Sequence, residues 1–195
     1  MSENAKKGRL IVFSAPSGCG KGTMLKEILA AGNYRLSVSA TTRDPRPEEI
    51  PDVSYHYLTK DDFSSRVERN EFLEHAEYCD NSYGTLLSEV DPYLENGVNV
   101  ILEIEVQGAQ RVRAVRPDSL FIFVAPPSID ELRRRLHKRA TEPEEVIEKR
   151  INKAIEELTH QDEYDYIIVN DALEDAVNDF FAVVRAEELK TAAEK

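Results

Sequence analysis

Four apolar runs rich in β-forming residues punctuate the chain: one beginning at Leu10, then 98–106 (VNVILEIEV), 119–125 (SLFIFVA) and 164–169 (YDYIIV). Their continuous apolar character reads as buried strands. The segments between them change to a helical period. Met24, Leu25, Ile28 and Leu29 predict a helix ending near Gly32, and 107–116 predicts another. Ser128-x-x-Glu131 and Thr141-x-x-Glu144 sit at capping-box spacing before two further helices, the second striped by Ile147, Ile151 and Ile155. Ala172 to about Lys190 is amphipathic, with Ala176, Val177, Phe180, Phe181 and Val184 on one face. Strands alternating with helices predict an α/β domain with a central parallel sheet and right-handed crossovers.

The stretch from Tyr34 to Gly97 breaks this rhythm. Tyr34–Ser39 alternates like a strand, but 40–58 has three prolines and few aliphatics and is a poor core segment. It reads as the start of an inserted subdomain, with a short strand at Ser54–Leu58. Thr59 and Asp62 predict a capped helix with Phe63 and Val67 on its face. Phe72–Tyr78 reads as a strand, Asn81-Ser82-Tyr83-Gly84 as a turn, and Leu86–Leu94 as a helix ending near Asn96-Gly97.

The chemistry starts where the first strand breaks, in LIVFSAPSGCGKGT. A strand, a glycine-rich turn and a helix opening on lysine form the frame of a phosphate-binding loop. Its backbone N–H groups turn inward, the helix N-terminus adds positive potential, and the lysine reaches outer phosphates. The run departs from G-x-x-x-x-G-K-[ST] at Ala15 and Gly22. Gly22 lacks the hydroxyl that usually meets Mg²⁺, and Thr23 is the substitute. Cys19 reads as a small residue in a permissive loop position. The bland alternative is a strand-turn-helix carrying a surface lysine. Within the run 98–106, Glu103 and Glu105 are two apart and are expected on one face near a strand's C-terminal end, where α/β sheets hold ligands.

The totals narrow the partners. The 195 residues suit one α/β domain with insertions, and 41% hydrophobic with 32% charged residues describes a globular protein. The polar start MSENAKKGR has no apolar signal core, no run approaches a membrane span, and the two cysteines, Cys19 and Cys79, form no metal-like pair. A reducing cytoplasm is expected. A net charge of −12 argues against non-specific nucleic-acid binding. Residues 133–153 nevertheless hold eight Lys/Arg against four Asp/Glu, a local +4 of the kind a nucleotide phosphate site needs.

These motifs together resemble guanylate kinases from Leu10 to the last helix. The loop is similar to that family's SGPSGxGKxT. Thr41-Thr42-Arg43-x-x-Arg46-x-x-Glu49, followed by Tyr55-His56-Tyr57-Leu58, is similar to T-[ST]-R-x-x-[KR]-x-x-[DE]-x-x-G-x-x-Y-x-[FY], with Asp52 where the family has Gly. The resemblance implies a three-layer P-loop kinase fold. Its core would be 1–39, 89–127 and 158–195, with a GMP-binding subdomain at 40–88 and a helical lid at 128–157. It implies ATP-binding by Ala15, Pro16, Ser17, Gly18, Cys19, Gly20, Lys21, Gly22, Thr23 and Asn170. It implies GMP-binding by Ser39, Arg43, Arg46, Tyr55, Glu74, Tyr83, Gly84, Thr85 and Glu105, the last usually Asp and Thr85 usually Ser. Lys21, Arg43, Arg135, Arg139 and Arg150 would be catalytic, and Thr23 with Glu103 would face Mg²⁺, Glu103 directly or through water.

The implied reaction is transfer of the ATP γ-phosphoryl group to GMP, with dGMP a further acceptor. The implied state is a monomer or small homo-oligomer without nucleic-acid or membrane partners. Two rivals keep the scaffold. A peptide-binding relative would have abandoned the loop lysine, which is present here. A kinase for another small molecule would lack Glu74, Ser39 and Thr85, which favour guanine. Nothing resembles the N-K-x-D loop of a GTPase.

Overall fold

The computed structural model describes residues 7–78, 80–138 and 143–190. Its strands are β1 (Leu10–Ser14), β2 (Tyr34–Leu36), β3 (Ser39–Thr41), β4 (His56–Tyr57), β5 (Phe72–Tyr78), β6 (Asn81–Leu86), β7 (Asn99–Glu103), β8 (Leu120–Ala125) and β9 (Tyr166–Val169). Its helices are α1 (Lys21–Ala30), α2 (Lys60–Glu68), α3 (Asp91–Glu95), α4 (Val106–Val115), α5 (Ile129–Lys138), α6 (Glu144–Leu158) and α7 (Leu173–Leu189). A five-stranded sheet runs β2-β7-β1-β8-β9, and a four-stranded sheet runs β4-β3-β6-β5. The registers of β1 with β7, β2 with β7 and β8 with β9 are parallel. Two compact units divide the chain, Met1–Phe13 with Asn33–Leu120 and Ser14–Gly32 with Phe121–Lys195. No helix among the described residues is long and apolar enough to cross a membrane.

The first unit carries the second sheet. Thr59 caps α2 as its spacing predicts, its Oγ1 accepting from Asp62 N at 3.1 Å. Phe63 on α2, Ala40 on β3 and Leu86 on β6 form a small buried core, flanked by Leu58, Val67 and Phe72. Phe63 and Phe72 stack with centroids 4.4 Å apart.

Several sequence expectations shift in this unit. Tyr34–Ser39 is two strands in two sheets, because the chain crosses over at Ser37–Val38. The strand expected at Ser54–Leu58 shortens to His56–Tyr57. Asp52, standing for a family glycine, keeps the left-handed backbone at φ +61 and donates its N–H to Tyr55 O at 2.9 Å. The run 81–84 is not a turn but the start of β6. Tyr78 pairs with Asn81, Asp80 before it has φ +63, and Cys79 lies outside the described residues. Gly84 reads as a turn signal but serves close packing, since a Cβ there would lie 2.8 Å from Glu74 O.

The helix expected over Leu86–Leu94 is a 3-10 turn at Leu87–Glu89 followed by α3. Pro92 has no N–H to continue a helix and takes a first-turn place instead. The strand expected to reach Val106 stops at Glu103. Val106, Ala109 and Val112 are buried at helical spacing, so that period prevails and Glu105 caps α4.

In the second unit, Ser128 Oγ accepts from Glu131 N at 3.1 Å, as the capping box predicts. The Thr141 cap and the Ala140–Thr141 link lie outside the described residues, and Pro143 flanks the start of α6. The buried α6 stripe is Ile147, Ile151 and Ala154; Ile155 is exposed. β9 begins at Tyr166 rather than Tyr164.

Removing the aromatic centre of the small core, Phe63→Ala, is expected to destabilise the protein by about 3 kcal/mol. Denaturant unfolding followed by circular dichroism checks this; an unchanged midpoint would contradict it.

Candidate functional site

Cross-strand register builds the first site. Ser39 on β3 pairs with Thr85 on β6, which pairs with Glu74 on β5, so three polar residues form one row across three strands. Ser39, Arg46, Tyr55, Glu74, Tyr83, Gly84, Glu103 and Glu105 line one cavity of about 330 Å³. Glu103 at the end of β7 and Glu105 at the cap of α4 therefore converge as expected, though by a strand-to-helix turn rather than strand alternation.

Glu74 is only 7% exposed. Burial pushes its carboxyl above the ordinary carboxylate range, against the opposing pull of the Thr85 hydroxyl and Arg111. Thr85 Oγ1 donates to Glu74 Oε1 at 2.9 Å, so Thr85 orients the carboxylate from behind and is not on the cavity wall. Gly108 on α4 is on the wall, and a Cβ there would stand 3.4 Å from Glu74 Oε2.

Glu49 organises a second polar cluster in the same unit. It accepts from Arg43 Nη2 at 2.8 and 3.0 Å, from Arg46 N at 2.8 Å and from Tyr57 OH at 2.8 Å. The Arg43 hydrogen bond, then the Arg46 N–H, holds its carboxyl at about 2. Arg43 also donates to Asp44 O at 2.6 Å, and its guanidinium lies 5.5 Å from the Tyr55 ring centroid. Among the expected acceptor residues, Arg43 is thus engaged with Glu49 beside the cavity, while Arg46, Tyr55 and Tyr83 reach its wall.

The second unit holds the phosphate-loop residues. Gly18 and Gly20 adopt left-handed backbone at φ 91 and 81, which L side chains resist. Cys19 N donates to Pro16 O at 3.3 Å, and Thr23 N and Met24 N both donate to Gly20 O at 3.1 Å as α1 begins. The Cys19 side chain is fully buried, and burial pushes its thiol up to about 12, so the thiol stays protonated and unreactive. A Cβ at Gly22 would meet nothing within 4 Å, so space does not require the glycine there. Ala15 forms the edge of the loop after β1, and nothing in the structure explains that departure from glycine.

Gly18, Gly20, Thr23, Arg135 and Asn170 share a donor-side cavity of about 480 Å³. Arg135 Nε donates to Glu131 at 2.7 Å and its Nη1 to Asn170 O at 2.9 Å. Glu131 also accepts from Arg134 Nε and Nη2, both at 2.7 Å, and these arginines hold its carboxyl at about 2. Arg150 Nη2 donates to Ser17 Oγ at 2.8 Å, joining α6 to the loop. Lys21 opens α1, half-buried. Arg139 lies outside the described residues.

Sequence reasoning missed Glu77, Gln107 and Gly108 on the acceptor wall and Arg134 and Lys138 on the donor wall. Reading the helical spacing of Val106, Ala109 and Val112 would have started α4 early enough to place Gln107 and Gly108 in its first turn. Lys138 is three residues after Arg135, which puts it on a neighbouring helix face.

Comparisons with known proteins agree with this geometry. The family model described as guanylate kinase matches residues 7–187. A guanylate kinase of Desulfitobacterium hafniense (strain Y51) is 47% identical over 184 residues, covering 94% of this chain and 92% of that protein. The crystal structure of guanylate kinase from Anaplasma phagocytophilum superposes with a TM-score of 0.77 at 31% identity, covering 95% of this chain and 89% of that one. A shikimate kinase from Bacteroides thetaiotaomicron, 17% identical with a TM-score of 0.53 and covering 91% of this chain and 98% of that one, shares the fold alone. With a family model matched over residues 7–187 and relatives matched along nearly their whole length, the chain belongs to the guanylate kinase family of ATP:GMP phosphotransferases.

Proposed function

We propose that this chain carries out its family's reaction with the residues brought together in the two cavities. The observation that carries the reading is Glu74, a buried carboxylate on the wall of a cavity shared with Arg46, Tyr55 and Tyr83. Guanine presents N1–H and N2–H₂ donors, and Glu74 and Glu105 accept from them. Adenine offers no such pair, so it would leave a buried acceptor unsatisfied, which is a strong ground for rejection. Arg43, Arg46, Tyr55 and Tyr83 take the acceptor phosphate, the arginines bidentately, while Ser39 stands in the row with Glu74 and Thr85 on the guanine side. Gly84 lets the strand pass close behind, and Thr85 fixes the Glu74 carboxylate. dGMP is a further acceptor in this reading.

On the donor side, Ala15, Pro16, Ser17, Gly18, Cys19, Gly20, Lys21, Gly22 and Thr23 cradle the ATP phosphates, with Asn170 beside them. Phosphoryl transfer needs positioning and charge neutralisation rather than covalent help, and the acceptor phosphate is already an anion, so no general base is required. Lys21 neutralises the outer phosphates. Arg135, Arg139 and Arg150 cover the transferring group and exclude water, with 128–157 acting as a lid and 40–88 as the acceptor subdomain. The Thr23 hydroxyl is exposed on the donor wall and Glu103 on the acceptor wall, and both are the hard oxygen donors that Mg²⁺ prefers. When bound, Mg²⁺ supplies charge neutralisation at the β- and γ-phosphate oxygens. The protein acts in the cytoplasm, as a monomer or small homo-oligomer.

Coupled ADP release with MgATP is expected with GMP and dGMP but not with AMP, UMP, CMP or no acceptor, and Lys21→Met is expected to abolish it. Turnover of another nucleotide would overturn the roles of Glu74 and Glu105. No turnover at all by a folded sample that binds GMP would favour a binding module.

Glu74→Gln separates function from stability. Because the folded-state value of Glu74 is raised, its ionised form costs stability at neutral pH, and that cost fades as pH falls through the raised value. The variant is expected to melt higher than the parent at pH 7, with the difference vanishing in acid, while GMP affinity falls about 10- to 100-fold. Calorimetric melts across pH and GMP titration check both halves.

Closure of residues 128–157 is expected only with both nucleotides bound. Small-angle scattering showing no compaction in the ternary complex would remove the lid assignment.

A further inference from the structure

We infer that Asn170 is a positioning residue that locks one peptide plane of the phosphate loop, a role that rests on the proposed function and deepens it. Asn170 is 6% exposed and lies immediately after β9. Its own backbone N–H donates to Ala125 O at 2.9 Å, at the end of β8. Its Nδ2 donates to Cys19 O at 2.7 Å, across 151 residues of sequence. A carbonyl oxygen can only accept, so the amide edge facing it must be the NH₂ group. Its backbone oxygen accepts from Arg135 Nη1 at 2.9 Å, and Arg135 Nη2 reaches Asp171 O at 3.4 Å. The contact is also steric, because a Cβ at Gly20 would come 2.6 Å from Asn170 Nδ2.

The consequence follows from peptide geometry. In a trans peptide the C=O of residue 19 and the N–H of residue 20 point in opposite directions. Holding the Cys19 carbonyl toward Asn170 therefore turns the Gly20 N–H away from Asn170. Gly20, in the left-handed region, is also where the plane could turn over at small steric cost. Such a flip would replace a phosphate-binding donor with a carbonyl oxygen, which repels a polyanion. Asn170 blocks it with a buried hydrogen bond anchored on β8, and Arg135 closes the same asparagine into the lid helix α5. A residue positioned to read the nucleotide base would have no need of the Cys19 carbonyl.

Inorganic tripolyphosphate, which has no base, distinguishes the two roles. Wild type, Asn170→Ala and Asn170→Asp are titrated calorimetrically with MgATP, with tripolyphosphate in Mg²⁺ and with GMP. Asn170→Ala is expected to weaken ATP and tripolyphosphate by the same factor, about tenfold, with GMP changed less than about twofold. Asn170→Asp, which sets a carboxylate against a carbonyl, is expected to lose more. GMP affinity reports folding, and Asp, having the shape of Asn, carries the comparison if the Ala variant does not fold. A loss confined to ATP, with tripolyphosphate unchanged, would make Asn170 a base contact and overturn the proposal. Unchanged affinity for both would overturn it too, as would failure of the wild type to bind tripolyphosphate. Loss of GMP-dependent turnover in the wild type is a separate result that bears on the proposed function alone.

Discussion

A carboxylate buried at 7% exposure is expensive, and the acceptor half of this protein is arranged around keeping one. The direct partner of Glu74 is the Thr85 hydroxyl at 2.9 Å, with the Arg111 charge acting at longer range. The surrounding backbone must come close for that to work. Gly84 lets β6 press against Glu74 O, and Gly108 leaves α4 room beside Glu74 Oε2. Both glycines weaken the elements that contain them by the general measure of glycine in strand or helix. The return is room for a buried carboxylate held by one hydroxyl.

Charge is handled differently where phosphates are to be held. The protein is strongly acidic overall, with a net charge of −12, yet two of its candidate phosphate ligands are arginines already held by carboxylates: Arg43 by Glu49 and Arg135 by Glu131. Such pairing fixes the guanidinium planes in advance and lowers the ordering cost of binding. Glu49 and Glu131 are both held at about 2, so neither releases its arginines through protonation near neutral pH.

The donor loop relies on conformation more than charge. Two left-handed glycines, the turn from Pro16 O to Cys19 N and the helix start at Lys21 set the path of the backbone. Cys19 contributes its carbonyl and fills buried space, with a thiol pushed too high to react. Asn170 and Arg150 then tie the loop to β8 and α6 through hydrogen bonds.

The order of strands and helices was legible in the sequence because hydrophobic period reports the local environment of each residue. The buried runs of β1, β7 and β8, the capped helices α2 and α5, and the loop ending in Lys21 all declare themselves within a few positions. The resemblance to guanylate kinases likewise marked Arg46, Tyr55, Glu74 and Tyr83, which share one wall. Tertiary structure decided what local pattern cannot carry. Gly84 looks like a turn and is a packing contact with another strand; Ser39, Thr85 and Glu74 form a row only through register; Asn170 meets Cys19 across most of the chain. Each depends on two segments approaching from distant positions, and sequence period contains no information about which segments approach or how closely.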